Sequence, residues 1–429
     1  METKASETTF RSYLFFWSGQ LASLLGSSIA QFVIIWWITI ETQSAVYLSI
    51  ASFVAFIPQV ILTPFAGVLV DRWSRKALIG IVDFLQAVAT VGLILLFWLE
   101  IISIWQILVL LALRGLFQAF HTPAVRAIVP LMVPRQKLSR MNGLDYLFSG
   151  AINLIGPIVA ALLFVLWRID QILWVDAATF AVAVVPLLLI KIPSVRKKQE
   201  VSQDKPSFKR EFMEGLTFIK NAKGLPSLLM LATALNFLLI PLFTLLPYFV
   251  QVDHFGMAED FALVVAASAG GTLAGGLLMS VKKEFKRKMV VVASFMYVLF
   301  LGYALVALTP TGLFWFMALA SLTISFATPL VNVSLRTIIQ TVIPMEMLGR
   351  VTSVNMTLAT AAMPLGMILS GPIAEFIGTA NFFLACTGSG ILALTLSWLF
   401  TDIRDVEEME KRRDAMEVAS DQSREKLVR

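Results

Sequence analysis

The chain holds a single cysteine, Cys386, in 429 residues, so neither a disulfide framework nor a thiolate metal site can be assembled from it. Histidine is nearly as scarce, with only His121 and His254. No H-E-x-x-H pair, loop-borne nucleophile triad or G-x-x-x-x-G-K-[ST] phosphate loop is present, which argues against an enzyme and against ATP-driven work within this chain. Charge is thin as well. Charged residues make up 14% and hydrophobic ones 58%, where soluble domains run at about 25% and about 45–50%. With a mean hydropathy of +0.81, the composition excludes an ordinary soluble protein and leaves a membrane-embedded one.

Long apolar runs are what the chain has in abundance. A helix needs about 20 apolar residues to cross a hydrocarbon core. Helices are expected at roughly 13–40, 45–70, 77–99, 104–128, 141–166, 170–192, 225–250, 261–281, 289–308, 312–340, 351–377 and 380–402. The polar start gives way at Arg11 to an apolar run reaching Ile40, too long for a signal-peptide core, so the first helix is expected to be retained. The predicted fold is an all-α membrane protein of twelve transmembrane helices.

Of the 34 Lys and Arg residues, all but Arg114 and Arg168 fall at one face of that arrangement, which the positive-inside rule makes cytoplasmic, with both termini on it. The other face carries Glu41, Glu100, Asp170, Asp253, Glu259 and Asp260, with Trp36, Trp37, Trp98, Trp105, Trp167 and Trp315 read as interfacial anchors. The net charge of +6 is thus a topology signal, spread over short loops, and nucleic acid is not an expected partner.

The longest break, 193–224, sets Phe208, Phe212, Leu216 and Ile219 at helical spacing among basic residues, the pattern of an amphipathic linker on the membrane surface. It separates residues 1–192 from 225–402, each with six helices, and a charged tail follows at 403–429. The halves resemble each other. With Arg140 set on Arg350, Gly156 falls on Gly366, and Phe120-His121-Thr122-Pro123 echoes Phe326-Ala327-Thr328-Pro329. Such a parallel repeat is the trace of two pseudo-symmetric six-helix bundles rocking about a central site.

Arg114 lies near the middle of the fourth helix, where a charge costs at least about 2.5–3.5 kcal/mol and must face a partner or water. Gln118 and His121 follow on the same face. Similar polar stripes run along the first helix (Gln20, Ser23, Ser27, Gln31), the tenth (Ser321, Ser325, Thr328, Asn332, Arg336) and, more sparsely, the seventh (Asn236, Phe243, Thr244). Any one hydroxyl alone is better explained by helix–helix hydrogen bonding; four stripes together indicate a cavity. Phe15, Phe16, Trp17, Phe32, Trp36 and Phe243 among them suit an amphipathic organic substrate. The intramembrane acids Asp83 and Asp176 are candidate proton carriers beside Arg114, since an acid protonates when buried and releases when solvated. The alternative for Asp83 or Asp145 is an ion pair with Arg126.

Between the second and third helices runs Gly67-Val68-Leu69-Val70-Asp71-Arg72-Trp73-Ser74-Arg75-Lys76. It resembles the G-x-L-x-D-R-x-x-R-K loop of the major facilitator superfamily. Gly67 permits close packing, Asp71 suits a helix N-terminus across the interface, and Arg72, Arg75 and Lys76 hold the cytoplasmic boundary. In the second half Ser280 replaces the acid. In that superfamily the first, fourth, seventh and tenth helices line the cavity. Gly156-Pro157 resembles the signature of its antiporters, although Ile152 stands where they carry a small residue. Phe120 to Pro130, Trp174 to Phe180 and Glu214 to Lys220 resemble its macrolide-efflux and enterobactin-exporter branch.

The resemblance implies a monomeric secondary exporter of amphipathic molecules, in the plasma membrane, driven by the proton gradient without a cofactor. Two rivals stand beside it: a lipid or lysolipid flippase on the same fold, and a sensor or scaffold that binds without moving its ligand.

Overall fold

The computed structural model describes residues 7–192, 208–282, 285 and 287–406, apart from the side chains of residues 64, 67–69, 71, 72, 208, 209 and 211. The first bundle comprises α1 (Glu7–Thr42), α2 (Ala45–Arg72), α3 (Arg75–Trp98), α4 (Ile104–Met132), α5 (Arg135–Leu166) and α6 (Ile169–Leu189). A short helix, α7 (Phe208–Asn221), leads to α8 (Leu225–Tyr248), α9 (Ala258–Val281), α10 (Lys288–Ala307), α11 (Phe314–Val342), α12 (Met345–Ile377) and α13 (Thr379–Phe400). All but α7 are long and apolar enough to span a membrane, twelve in all among the described residues. Helices are what hydrocarbon permits here, because they satisfy every backbone polar group internally.

The two halves repeat one packing scheme. In the first, α2 packs on α4, α1 on α5 and α6, and α3 on α4 and α6; in the second the same places are taken by α9 on α11, α8 on α12 and α13, and α10 on α11 and α13. The bundles meet along α2 against α12 and, symmetrically, α5 against α9. Even the hinges match: Pro134 enters α5 at φ −56°, ψ 142° and Pro344 enters α12 at φ −55°, ψ 145°. Proline fixes φ and lacks an N–H, so at each place it ends one helix and starts the next at a set angle.

Helices α4, α5 and α12 reach further at their Pro134 and Pro344 ends than the apolar runs indicated, because polar turns such as Arg135–Arg140 continue the helix beyond the hydrocarbon. Apolar side chains such as Leu166, Met230, Phe376 and Phe400 stand fully out of the bundle, as lipid contact requires. Within the first bundle the core divides in two. One cluster around Phe16, Ile79 and Ile128 lies at the end that carries α1's start, and another around Ile38, Leu93 and Ile107 lies at the opposite end.

Two expectations need correction. Trp36 is no interfacial anchor: it is buried and packs against Phe32 and Phe261. Part of the apolar face of α7, expected on the membrane surface, packs on α12 and α8, with Ile219 inside the second bundle's core and Glu214 paired to Arg350 at 2.7 Å, while Leu216 of the same face is exposed. A helical moment cannot distinguish a lipid surface from a protein groove of the same hydrophobicity. The remainder of the expected linker, 193–207, and the tail beyond 406 lie outside the described residues.

Candidate substrate cavity

A cavity of about 1030 Å³ runs from Tyr13, Pro130 and Leu138, at the face carrying both ends of the helical chain, to Ile35 and Leu48 deep in the fold. That is the upper end of the range for drug-sized pockets, about 300–1,000 Å³. The second bundle contributes only Ile240, Phe243, Thr244 and Met367 to its wall. Toward the opposite face it is shut by a stack in which Phe261 of α9 lies 5.1 Å from Phe32 and 5.5 Å from Trp36 of α1. There Glu375 of α12 also accepts hydrogen bonds from Ser44 Oγ at 2.6 Å and from the Val46 backbone N–H at 3.2 Å, in the first turn of α2. The free N–H groups and dipole of a helix start favour a carboxylate at that place. A Cβ at Gly371 would strike Ser49 and the Ala45 carbonyl, so only glycine lets α12 approach α2 this closely.

The charge of Arg114 is answered by Asp176. Its Nη1 donates to Asp176 Oδ2 at 3.0 Å and to Thr90 Oγ1 at 2.7 Å, while Thr90 itself donates to the same carboxylate oxygen at 2.8 Å. Ser27 supplies a third donor, to Asp176 Oδ1 at 2.9 Å. Asp176 is fully buried, Arg114 is partly exposed to the cavity, and the network ties α1, α3, α4 and α6 together. A buried ion pair repays its desolvation only when its remaining hydrogen-bonding positions are also filled, and here α1 and α3 fill them.

A second acid stands on the wall. Asp83, 2% exposed, meets His121 Nε2 at 3.0 Å through Oδ1, and its Oδ2 is buried without a partner. Neither Asp83 nor Asp145 pairs with Arg126 as the alternative reading had it: Asp145 accepts from Trp17 Nε1 at 2.9 Å, and Arg126 is exposed on the cavity wall. Gln118 links α3 to α4, accepting from Gln86 at 3.5 Å and donating to Thr122 at 3.1 Å.

Of the residues expected at a substrate site, Gln20, Ser27, Gln31, Arg114, Gln118, His121 and Phe243 lie on the cavity wall, as do the expected aromatics Phe16 and Trp17. Asn236, Ser325, Thr328 and Asn332 do not. Asn236 and Thr328 bond carbonyls one turn back in their own helices, Ser325 is buried in the second bundle, and Asn332 is exposed away from the cavity. A polar stripe shows that a helix has a distinct face, and short hydroxyl and amide side chains satisfy that pattern by bonding their own backbone.

Two stripes that do line the cavity were not read as stripes, although Asp83 and Asp145 were noted singly as acids. Asp83 and Gln86 on α3, and Asn142, Asp145, Ser149 and Asn153 on α5, are on the wall, and both runs follow the three-and-four spacing of one helical face.

The loop residues Arg75 and Lys76 bind inside their own bundle. Arg75 Nη1 donates to the Ala127 carbonyl at 3.3 Å, and Lys76 Nζ donates to the Leu188 and Ile190 carbonyls at 2.8 and 2.7 Å, where α6 ends. The side chains of Gly67, Asp71 and Arg72 lie outside the described residues. Gly156, beside Pro157 in α5, packs so tightly on α1 that a Cβ would strike Ser28.

Two pseudo-symmetric bundles of membrane-spanning helices around a cavity closed at one end define a secondary transporter. The chain belongs to the major facilitator superfamily, whose family profile matches residues 16–367. It is a multi-pass plasma-membrane transporter and not an enzyme. Among its relatives, macrolide efflux protein A of Streptococcus pyogenes is 30% identical over 396 residues, 92% of this chain and 96% of that protein. The multidrug efflux pump Tap of Mycobacterium tuberculosis is 26% identical over 368 residues, 82% and 86% of the two chains. Among solved structures, a bacterial homologue of the iron transporter ferroportin in its inward-facing state aligns over 90% of this chain and 98% of that one, with a TM-score of 0.67 and 15% identity.

Proposed function

We propose that this chain exports amphipathic organic molecules, macrolide- or siderophore-like in size and character, in exchange for protons, by rocking of its two bundles. The carrying observation is the cavity. It is large enough for such a molecule, and it sets Tyr13, Phe16, Trp17 and Phe243 beside glutamines, asparagines and isolated charges, a mixture that solvates a body part apolar and part polar. The efflux relatives support the outward direction. In this reading both termini and α7 are cytoplasmic, because nearly all of the cations lie at that face, and the cavity loads from the cytoplasm. Asp71, with Gly67, Arg72, Arg75 and Lys76, then serves the cytoplasmic gate, and Gly156-Pro157 the close α1–α5 contact of an antiporter.

The test is a proteoliposome assay with an imposed pH gradient and a panel of macrolides, dyes, siderophores and lysolipids. Gradient-dependent movement of a macrolide or dye is the expected result. Lysolipid movement indifferent to the gradient would replace the reading with a flippase, and binding without movement would replace it with a sensor.

A further inference from the structure

Asp176 and Asp83 are both buried acids, yet their surroundings differ in kind. Asp176 already accepts from Ser27, Thr90 and the guanidinium of Arg114, and a guanidinium cannot give up its proton. Protonating Asp176 would displace charge-assisted bonds and leave Arg114 uncompensated near mid-membrane, so this network is suited to staying intact.

Asp83 has one partner among the described residues, and that partner is an imidazole, a group able to take up or give back a proton. With Nε2 of His121 at 3.0 Å from Asp83 Oδ1, a ring that holds its hydrogen on Nε2 faces the carboxylate and can take a second proton at Nδ1. His121 is partly exposed and lies on the cavity wall, in reach of water entering from the face where the cavity opens. The other charged or titratable groups around it are few: Tyr13 on α1, Arg75 at the start of α3, Asp145 on α5, and Arg114 and Arg126 on its own helix. No described cavity residue of α2 is charged. Arg114 is bound to Asp176, and Asp145 to Trp17.

We infer that the Asp83–His121 pair is the proton-carrying site of the transport cycle and that the Arg114–Asp176 network is a fixed tie within the first bundle. This deepens the proton-exchange reading above and rests on it. In the loading step a hydronium ion of the cavity water gives its proton to Nδ1 and becomes water. No covalent bond breaks in the protein, and the pair passes from a net charge of −1 to zero. The neutral pair is the form that a dry environment tolerates. The charged form, with Oδ2 buried and unpartnered, is stabilised by solvation or by a cation entering the cavity, so an arriving cation favours release of the proton. The same site is closed to the opposite face by the Phe32–Trp36–Phe261 stack and Glu375, so a proton exchanges with one side at a time.

Two measurements test this. With only two histidines in the chain, ¹⁵N-histidine labelling of the purified protein gives two sets of ring signals, and the set lost in His121→Gln belongs to His121. That set is expected to show both the neutral and the charged ring as the sample is acidified, and the balance between them is expected to change in Asp83→Asn. A ring that holds one form throughout, or a balance that Asp83→Asn leaves in place, overturns the inference without reference to any substrate.

In proteoliposomes loaded with erythromycin as probe, one pH unit is expected to drive about tenfold accumulation for each proton exchanged. The ratio of accumulation with and without the gradient should fall to about one in His121→Gln and in Asp83→Asn. A wild type that ignores the gradient refutes proton exchange itself, and this site with it. A coupled wild type whose variants stay coupled refutes the site alone.

Discussion

Cutting the Arg114–Asp176 tie should be costly, and the cost should belong to the pair. Asp176→Asn keeps volume but leaves Arg114 facing a neutral amide; Arg114→Gln leaves a fully buried carboxylate with only Ser27 and Thr90 as donors. Removing one member of a buried pair costs about 3–5 kcal/mol, whereas removing both is often close to neutral. The double variant should therefore be no less stable than the worse single one, which sets the coupling energy at about 3 kcal/mol or more. Hydrogen bonds between transmembrane helices average only about 0.6 kcal/mol, with a maximum near 1.7, so the two descriptions are well separated. The assay is equilibrium unfolding of wild type, both singles and the double in mixed detergent micelles. Additive losses, with coupling under about 1 kcal/mol, would show that water in the cavity already screens the pair, and the account of the network as a fixed tie would fall with it.

Glu375 should hold the closed end shut. In a Cys386→Ser background carrying Phe261→Cys, Glu375→Ala is expected to raise severalfold the rate at which a membrane-impermeant thiol reagent reaches Cys introduced at the stack, and an unchanged rate refutes the latch. His254 follows the π-helical turn Phe249–Asp253, outside the spans; burial holds its pKa below the ordinary value, with a hydrogen bond to the Pro310 backbone opposing. The unfolded chain therefore takes up that proton first as pH falls. Stability from this site is present above the ordinary histidine range and is lost between that range and the lower folded value. Thermal unfolding of wild type should drop more between pH 7.5 and 5.5, roughly bracketing the ordinary value, than that of His254→Gln; parallel curves refute it.

The amino-acid sequence by itself determined the class. Apolar runs of spanning length, two halves alike about Arg140 and Arg350, and one cation in mid-helix can be read without coordinates, because lipid leaves a chain few options and each leaves a one-dimensional pattern. It also required that Arg114 have a partner. Which partner was undecided between Asp83 and Asp176, since pairing across 62 residues depends on the rotation of α6 against α4, and periodicity along one helix carries no information about its neighbour. The same limit placed Ser325 and Thr328 on a cavity they do not line, put Trp36 at the interface rather than in the closing stack, and gave no sign that Ile219 of α7 enters the second bundle's core. Only the packed bundle set His121 against Asp83, where a distance of 3.0 Å and one unpartnered oxygen join a cavity residue and a candidate proton carrier, read separately in the sequence, into one site.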